Sequence, residues 1–252
     1  MHTQKEQAMD FTPQIIVLLF TSATIAAFIQ RVSGFGFGIF IMTLLPLIMP
    51  SYGESTTLSG LLALTQSLFV AYQMRKHVIW SHIIPMLIAF LIVSAICIGY
   101  VAKFDSILFM HILGYTLIIL SLYFFFLSSK IHIKQSISMQ VGIGCISGAM
   151  GGFFGMQGPP SVLYYVQSEK SKEAYAAQTQ VYFVIGNIFM SFIRAQNGFM
   201  TTAVAKSWLF AIFGVIVGTY IGTKVFNRIP TGKLRKVVYI YMAISGVIML
   251  LK

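Results

Sequence analysis

Two glycine clusters carry the residues of this sequence whose types and spacing could do chemistry. The first reads Gln30-Arg31-Val32-Ser33-Gly34-Phe35-Gly36-Phe37-Gly38 and lies within an otherwise apolar stretch. Alternating glycines are poor helix material, each costing about 1 kcal/mol relative to alanine, so the backbone is expected to unwind there. N–H groups freed at the start of the next helical piece then converge on one spot, where the helix end is electropositive. Ser33 adds a hydroxyl and Arg31 a full positive charge. This set of groups suits a small anion. A plainer reading makes Arg31 the cap of a full-length hairpin at the cytoplasmic interface, with Gly34, Gly36 and Gly38 forming only its turn. Charges at membrane depth are costly, which favours the functional reading.

The second cluster, Gly151-Gly152-Phe153-Phe154-Gly155-Met156-Gln157-Gly158-Pro159-Pro160, has no charge. Its two prolines remove two N–H donors and stop helix formation around them. A re-entrant turn is expected here, with Gln157 as its polar tip between Gly155 and Gly158. Thr65, Gln66, Ser67, Gln178, Gln180 and Asn187 lie inside the segments that follow the two clusters. Such residues usually join helices to one another; Gln66 and Asn187 are the candidates for binding, because they lie at mid-segment depth.

The elements that must hold these residues are membrane helices. Of 252 residues 57% are hydrophobic and 9% charged, against about 25% charged in a soluble domain. Such a chain cannot make a polar surface, so its exterior must face lipid. The net charge of +11 comes from Lys and Arg scattered between apolar runs, without the basic stripe of a nucleic-acid binder. The stretches 11–30, 32–53, 55–74, 77–102, 106–129, 135–168, 174–193, 207–223 and 237–251 contain no Asp, Glu, Lys or Arg. A crossing needs about 20 apolar residues. The 135–168 stretch is too long for one crossing and is broken in the middle, which brings the expected number of hydrophobic segments to about ten. The expected fold is all-α, and residues 1–10 form a polar tail without a basic secretory n-region.

The displacement that carries Gly36 onto Gly155 also carries Glu54 onto Glu173 and Arg75 onto Arg194. Two repeats are therefore expected, 11–130 and 131–252, each opening with a Gly-rich broken hairpin. With the Arg75-Lys76 loop cytoplasmic, most basic loop residues fall on the cytoplasmic side, Lys130, Lys134, Lys170, Lys172, Lys224, Arg228, Lys233, Arg235 and Lys236 among them; Lys5, Lys103, Arg194, Lys206 and Lys252 fall on the other. The repeats are then inverted and both termini are non-cytoplasmic. The strings Gly144-x-x-x-Gly148-x-x-x-Gly152 and Gly214-x-x-x-Gly218-x-x-x-Gly222 read as packing faces. His82 begins a segment at the interface, whereas His111 lies deeper.

The Ser-Gly-Phe-Gly-Phe-Gly stretch at 33–38, with Pro46 downstream, resembles the signature of the sulfite exporter TauE/SafE family, also called toluene sulfonate uptake permeases. Ser147-Gly148 through Gly158-Pro159 is similar to its second copy, although Met156 and Gln157 interrupt a plain Gly-Gly-Gly-Pro pattern. The resemblance implies a permease with two related halves for sulfite, sulfonates or related sulfur-containing or organic anions, in a prokaryotic inner membrane. The partners expected are a small anionic substrate and the lipid bilayer; nucleic acid is not among them, and homodimerisation is left open. All six acids lie at loop or segment-end positions, and coupled carriers commonly place carboxylates in the membrane. Export by alternating access, driven by the membrane potential, is expected, with uptake as the alternative. A different class is a thiol–disulfide relay through Cys97 and Cys145, although neither belongs to a Cys-x-x-Cys motif. Neither a base, nucleophile or metal-ligand set nor a cofactor motif is visible, so no enzyme, metal or cofactor is expected.

Overall fold

A computed structural model describes residues 9–126, 135–225 and 231–251, with side chains from 239 in the last stretch. The tail residues Met1 to Ala8 lie outside these, as do Lys130, Lys134, Arg228, Lys252 and the side chains of Lys233, Arg235 and Lys236. The described residues are helical throughout: α1 Pro13–Ser33, α2 Phe37–Ile41, α3 Leu45–Ile48, α4 Tyr52–Met74, α5 Trp80–Val101, α6 Ser106–Phe126, α7 Ile137–Phe154, α8 Gly158–Ser168, α9 Lys172–Gln196, α10 Thr202–Val225 and α11 Thr231–Leu250. Among them α1, α5, α6, α7, α9 and α10 are long and apolar enough to cross a membrane.

The two glycine clusters end α1 and α7. At the first, Gly34 has φ 86° and Gly36 φ 105°; at the second, Gly155 has φ 66°. A side chain is rarely found in this left-handed region, so the breaks depend on glycine. The helix stops are closed locally, with Gly34 N–H donating to Gln30 O at 2.8 Å and Gly155 N–H to Gly151 O at 3.0 Å. The short helices α2 and α8 follow these breaks. Serine starts each of the long helices that follow: Ser51 Oγ accepts from Glu54 N at 3.2 Å at the start of α4, and Ser171 Oγ from Ala174 N at 3.0 Å at the start of α9. Each satisfies an N–H that the first helical turn leaves unpaired.

Polarity is arranged inside-out relative to a soluble protein. Along α6, Ile107, Leu108, Ile112, Tyr115, Ile119 and Leu122 are exposed, whereas Ser55, Thr56, Thr57, Ser59 and Gln66 of α4 are buried. Apolar side chains face outward, where lipid is an adequate solvent, and the polar ones gather between helices. α4 packs against α9, α6 against α11, α1 against α10 and α5 against α7.

The two small-residue strings do act as packing faces. A Cβ at Gly144, Gly148 or Gly152 would collide with the carbonyls of Met86, Phe90 and Ser94 of α5 in turn. A Cβ at Gly214 or Gly218 would strike those of Phe20 and Thr24 of α1, and one at Gly222 would strike the Arg31 side chain. Helix backbones approach this closely only where no Cβ stands between them.

Candidate anion site

The two breaks meet tip to tip. A Cβ placed on Gly38 would lie 2.8 Å from the Gly155 carbonyl oxygen and 2.9 Å from Met156 Cβ, so the start of α2 rests directly on the α7–α8 turn. Between them is a gap of about 20 Å³ lined by Gly36, Gly38, Gly155, Gln157, Gly158 and Asn187. That is roughly the space of one water molecule, so a small anion fits only if the tips part.

The turn is held from within. Ser147 Oγ donates to Gln157 O at 2.6 Å and Ser161 Oγ to the same carbonyl at 3.0 Å, while Ser59 Oγ of α4 donates to Gly155 O at 3.3 Å. Gln157 Nε2 donates to Phe183 O at 3.4 Å. Gln157 Oε1 and Gln30 Nε2, both buried at the gap, find no partner among the described residues. First-turn N–H groups of a helix have no acceptor within it; α2 begins at this gap, and so does α8, where Pro159 and Pro160 carry no N–H and leave only the amides of Gly158 and Ser161. An anionic oxygen would supply the missing acceptor for Gln30 and for these amides.

Gln30 also lines a second, larger cavity of about 380 Å³ that opens outward. Its walls are the end of α1 (Arg31, Ser33, Gly34), Gln66 of α4, the α8–α9 turn and the start of α9 as far as Gln180. Arg31, Lys170 and Lys172 place three cations at this vestibule against one carboxylate, Glu169. That carboxylate is engaged elsewhere, with Oε1 2.8 Å from His82 Nδ1, so His82 ties the start of α5 to the end of α8. The vestibule is therefore electropositive and would concentrate anions at its mouth.

The residues expected from sequence divide between the two spaces. Gly36, Gly38, Gly155, Gln157, Gly158 and Asn187 line the gap, whereas Arg31, Ser33, Gly34 and Gln66 line the vestibule. Arg31 is half-buried and its Nε donates to Thr223 Oγ1 of α10 at 2.8 Å. Ser33 Oγ donates to Ile29 O at 2.7 Å, holding the end of α1, and Gln66 Nε2 donates to Ala27 O at 2.8 Å. Gln178 is glue of the ordinary kind, joining α9 to Ile79 N at 3.0 Å and His77 O at 3.3 Å.

Two residues at the centre were not singled out by their place in the sequence. Gln30 is the shared wall of gap and vestibule, and its only signal was adjacency to Arg31. Arg194 marks the end of an uncharged stretch and reads as a loop charge, yet it lies within α9 and is 1% exposed. Its Nη2 donates to Gly151 O at 2.8 Å and Gly152 O at 3.2 Å, at the end of α7. Cys97 and Cys145 are free thiols; Cys97 is buried against the Gly152 face of α7.

Helices long and apolar enough to cross a membrane thus surround two helix breaks that meet beside a vestibule lined by three cations. The chain is a member of the sulfite exporter TauE/SafE family, which matches residues 19–249, and so belongs to a family of membrane transporters. Among curated proteins and among solved structures, nothing matches.

Proposed function

We propose that the chain is a permease for a small anion, sulfite, a sulfonate or a related sulfur-containing or organic anion, and that the anion binds where the two broken segments meet. The observation that carries this reading is the contact of Gly38 with Gly155 and Met156 beneath a vestibule bearing Arg31, Lys170 and Lys172. Family membership favours the same substrate class. Gly36, Gly38, Gly155 and Gly158 bring backbone to the solute, Gln157 and Asn187 supply polar side chains, and Arg31, Ser33, Gly34 and Gln66 form the approach.

Movement by alternating access follows from treating residues 11–130 and 131–252 as inverted repeats of about ten segments. Exchanging the first five segments for the last five turns the α1–α10 pair into α7–α5 and leaves α4–α9 and α6–α11 unchanged, which agrees with the packing partners. Rocking one half against the other would open the gap to each face in turn. With the vestibule cytoplasmic and both termini outside, an anion leaving a cell negative inside gains about 2.3 kcal/mol per charge per 100 mV, so export needs no coupling ion.

A second reading, proton-coupled uptake, draws on Glu54. This carboxylate at the start of α4 is buried, with Oε2 accepting from Ser51 Oγ at 2.8 Å and Oε1 from Thr201 Oγ1. Anion efflux from proteoliposomes decides between them. Export requires flux that follows an imposed potential and ignores a proton gradient. Flux that follows the proton gradient alone would transfer the mechanism to Glu54, and absence of any anion flux would refute the permease.

A further inference from the structure

α9 lines the approach in order along one stripe. Ala176 and Gln180 face the vestibule, Phe183 and Asn187 the gap, and Ser191 and Arg194 lie one and two turns beyond. The spacings of three and four residues keep them all on one face of the helix. α4 matches the stripe in the opposite direction, with Val70 and Gln66 at the vestibule, Ala63 at the gap and Gly60 beyond it.

Past the gap the two helices enclose a polar pair with unused donors. A Cβ on Gly60 would lie 3.4 Å from Arg194 Nη1, 3.7 Å from Asn187 Oδ1 and 4.0 Å from Ser191 Oγ. Arg194 Nη1 and Ser191 Oγ are buried and find no hydrogen-bond partner among the described residues. No carboxylate among the described residues pairs with Arg194. Its Nη2 bonds to Gly151 and Gly152 explain half of the guanidinium: a cation against the C-terminal carbonyls of α7. They do not account for Nη1 or for Ser191 Oγ, which lie beside Gly60 without a hydrogen-bond partner among the described residues. An unpaired cation at this depth is costly, and an anionic oxygen would satisfy both donors.

The far end of this region is closed. The Phe199 ring lies so close over Gly53 that a Cβ there would overlap it. Beyond that plug is a cavity of about 460 Å³ on the far side from the vestibule, lined in part by Ser51, Gly53, Lys103 and Phe199.

The geometry points to a second anion station at Arg194 Nη1 and Ser191 Oγ, facing Gly60. It takes the same small oxyanion once the tips part and passes it to the far face when Phe199 leaves Gly53. This assignment rests on the permease reading and extends it to the half of the pathway that is closed in this structure.

Gly60→Ala tests it. The added methyl group would stand at ordinary contact distance from Nη1, filling the station without touching the Nη2 bonds that hold α7. Sulfite transport is measured in oriented proteoliposomes with the anion supplied at the vestibule face or at the far face, for the wild type, Gly60→Ala and Ser191→Ala. Thermal unfolding checks that each variant is folded. The expected result is that Gly60→Ala raises the far-face KM at least about tenfold and the vestibule-face KM less than about twofold, with Ser191→Ala changing them in the same direction. No change at either face, or an equal change at both, would overturn the station while wild-type flux upholds the permease. A wild-type protein that carries no anion would instead refute the permease itself.

Discussion

Replacing Gly38 by alanine places a methyl carbon where the structure has no room for one. It would stand 2.8 Å from Gly155 O and 2.9 Å from Met156 Cβ, whereas carbon atoms in contact settle about 3.5–4.0 Å apart. Neither neighbour can yield easily. Gly155 is fixed by its N–H bond to Gly151 O at 3.0 Å and by Ser59 Oγ at its carbonyl. Overpacking of this kind costs about 1–3 kcal/mol. Gly99 and Gly142 provide the comparison: both lie in helices, and a Cβ on either meets nothing within 4 Å. Alanine at those sites should be neutral or stabilising by about 0.5–1 kcal/mol, because it restricts the unfolded chain. Chemical unfolding of the purified protein in detergent should therefore separate Gly38→Ala from Gly99→Ala and Gly142→Ala by about 1–4 kcal/mol. Only Gly38→Ala should also abolish sulfite flux. If Gly38→Ala matches the two comparison variants in both stability and flux, the tip-to-tip contact is wrong.

Three further outcomes are expected. Arg31→Gln removes a vestibule cation, so sulfite KM at the vestibule face should rise severalfold; an unchanged KM at low ionic strength would make Arg31 a packing residue of the α1–α10 contact. Glu54→Ala takes away the acceptor shared by Ser51 and Thr201 and should lower stability by about 1.5–3 kcal/mol in denaturant titration; a loss below about 0.5 kcal/mol would mean that this link between α4 and the start of α10 is negligible. Cys97→Ser with Cys145→Ser should keep anion flux near the wild-type level, and complete loss of flux in a folded double variant would revive the thiol–disulfide relay.

Much of the helical framework was legible because lipid leaves few alternatives. Uncharged stretches of crossing length mark membrane helices, and glycine clusters within them mark breaks, since residues with a side chain rarely adopt the φ of Gly36 or Gly155. The packing faces at Gly144 and Gly214 were legible from their four-residue spacing alone. What the sequence could not reveal was depth. Arg31 and Arg194 both look like the charged end of an apolar run, yet one lines a vestibule and the other lies buried beside the carbonyls that end α7. Only the packing of α9 on α4, which brings Gly60 opposite Arg194, distinguishes them. Ser33 and Gln66 illustrate the same point. Both line the vestibule, and their spacing in the sequence does not announce that Ser33 Oγ also bonds the Ile29 carbonyl one turn back or that Gln66 Nε2 bonds the Ala27 carbonyl of α1.

The most direct measurement is anomalous X-ray scattering from crystals of the wild-type protein equilibrated with selenite, which mimics sulfite and carries a strong scatterer. A selenium peak between Gly38 and Gln157, accompanied by separation of the α2 and α8 starts, is the result expected. Peaks only beside Lys170 and Lys172, or none within the helix bundle while selenite competes for sulfite flux, would contradict binding between the two helix breaks.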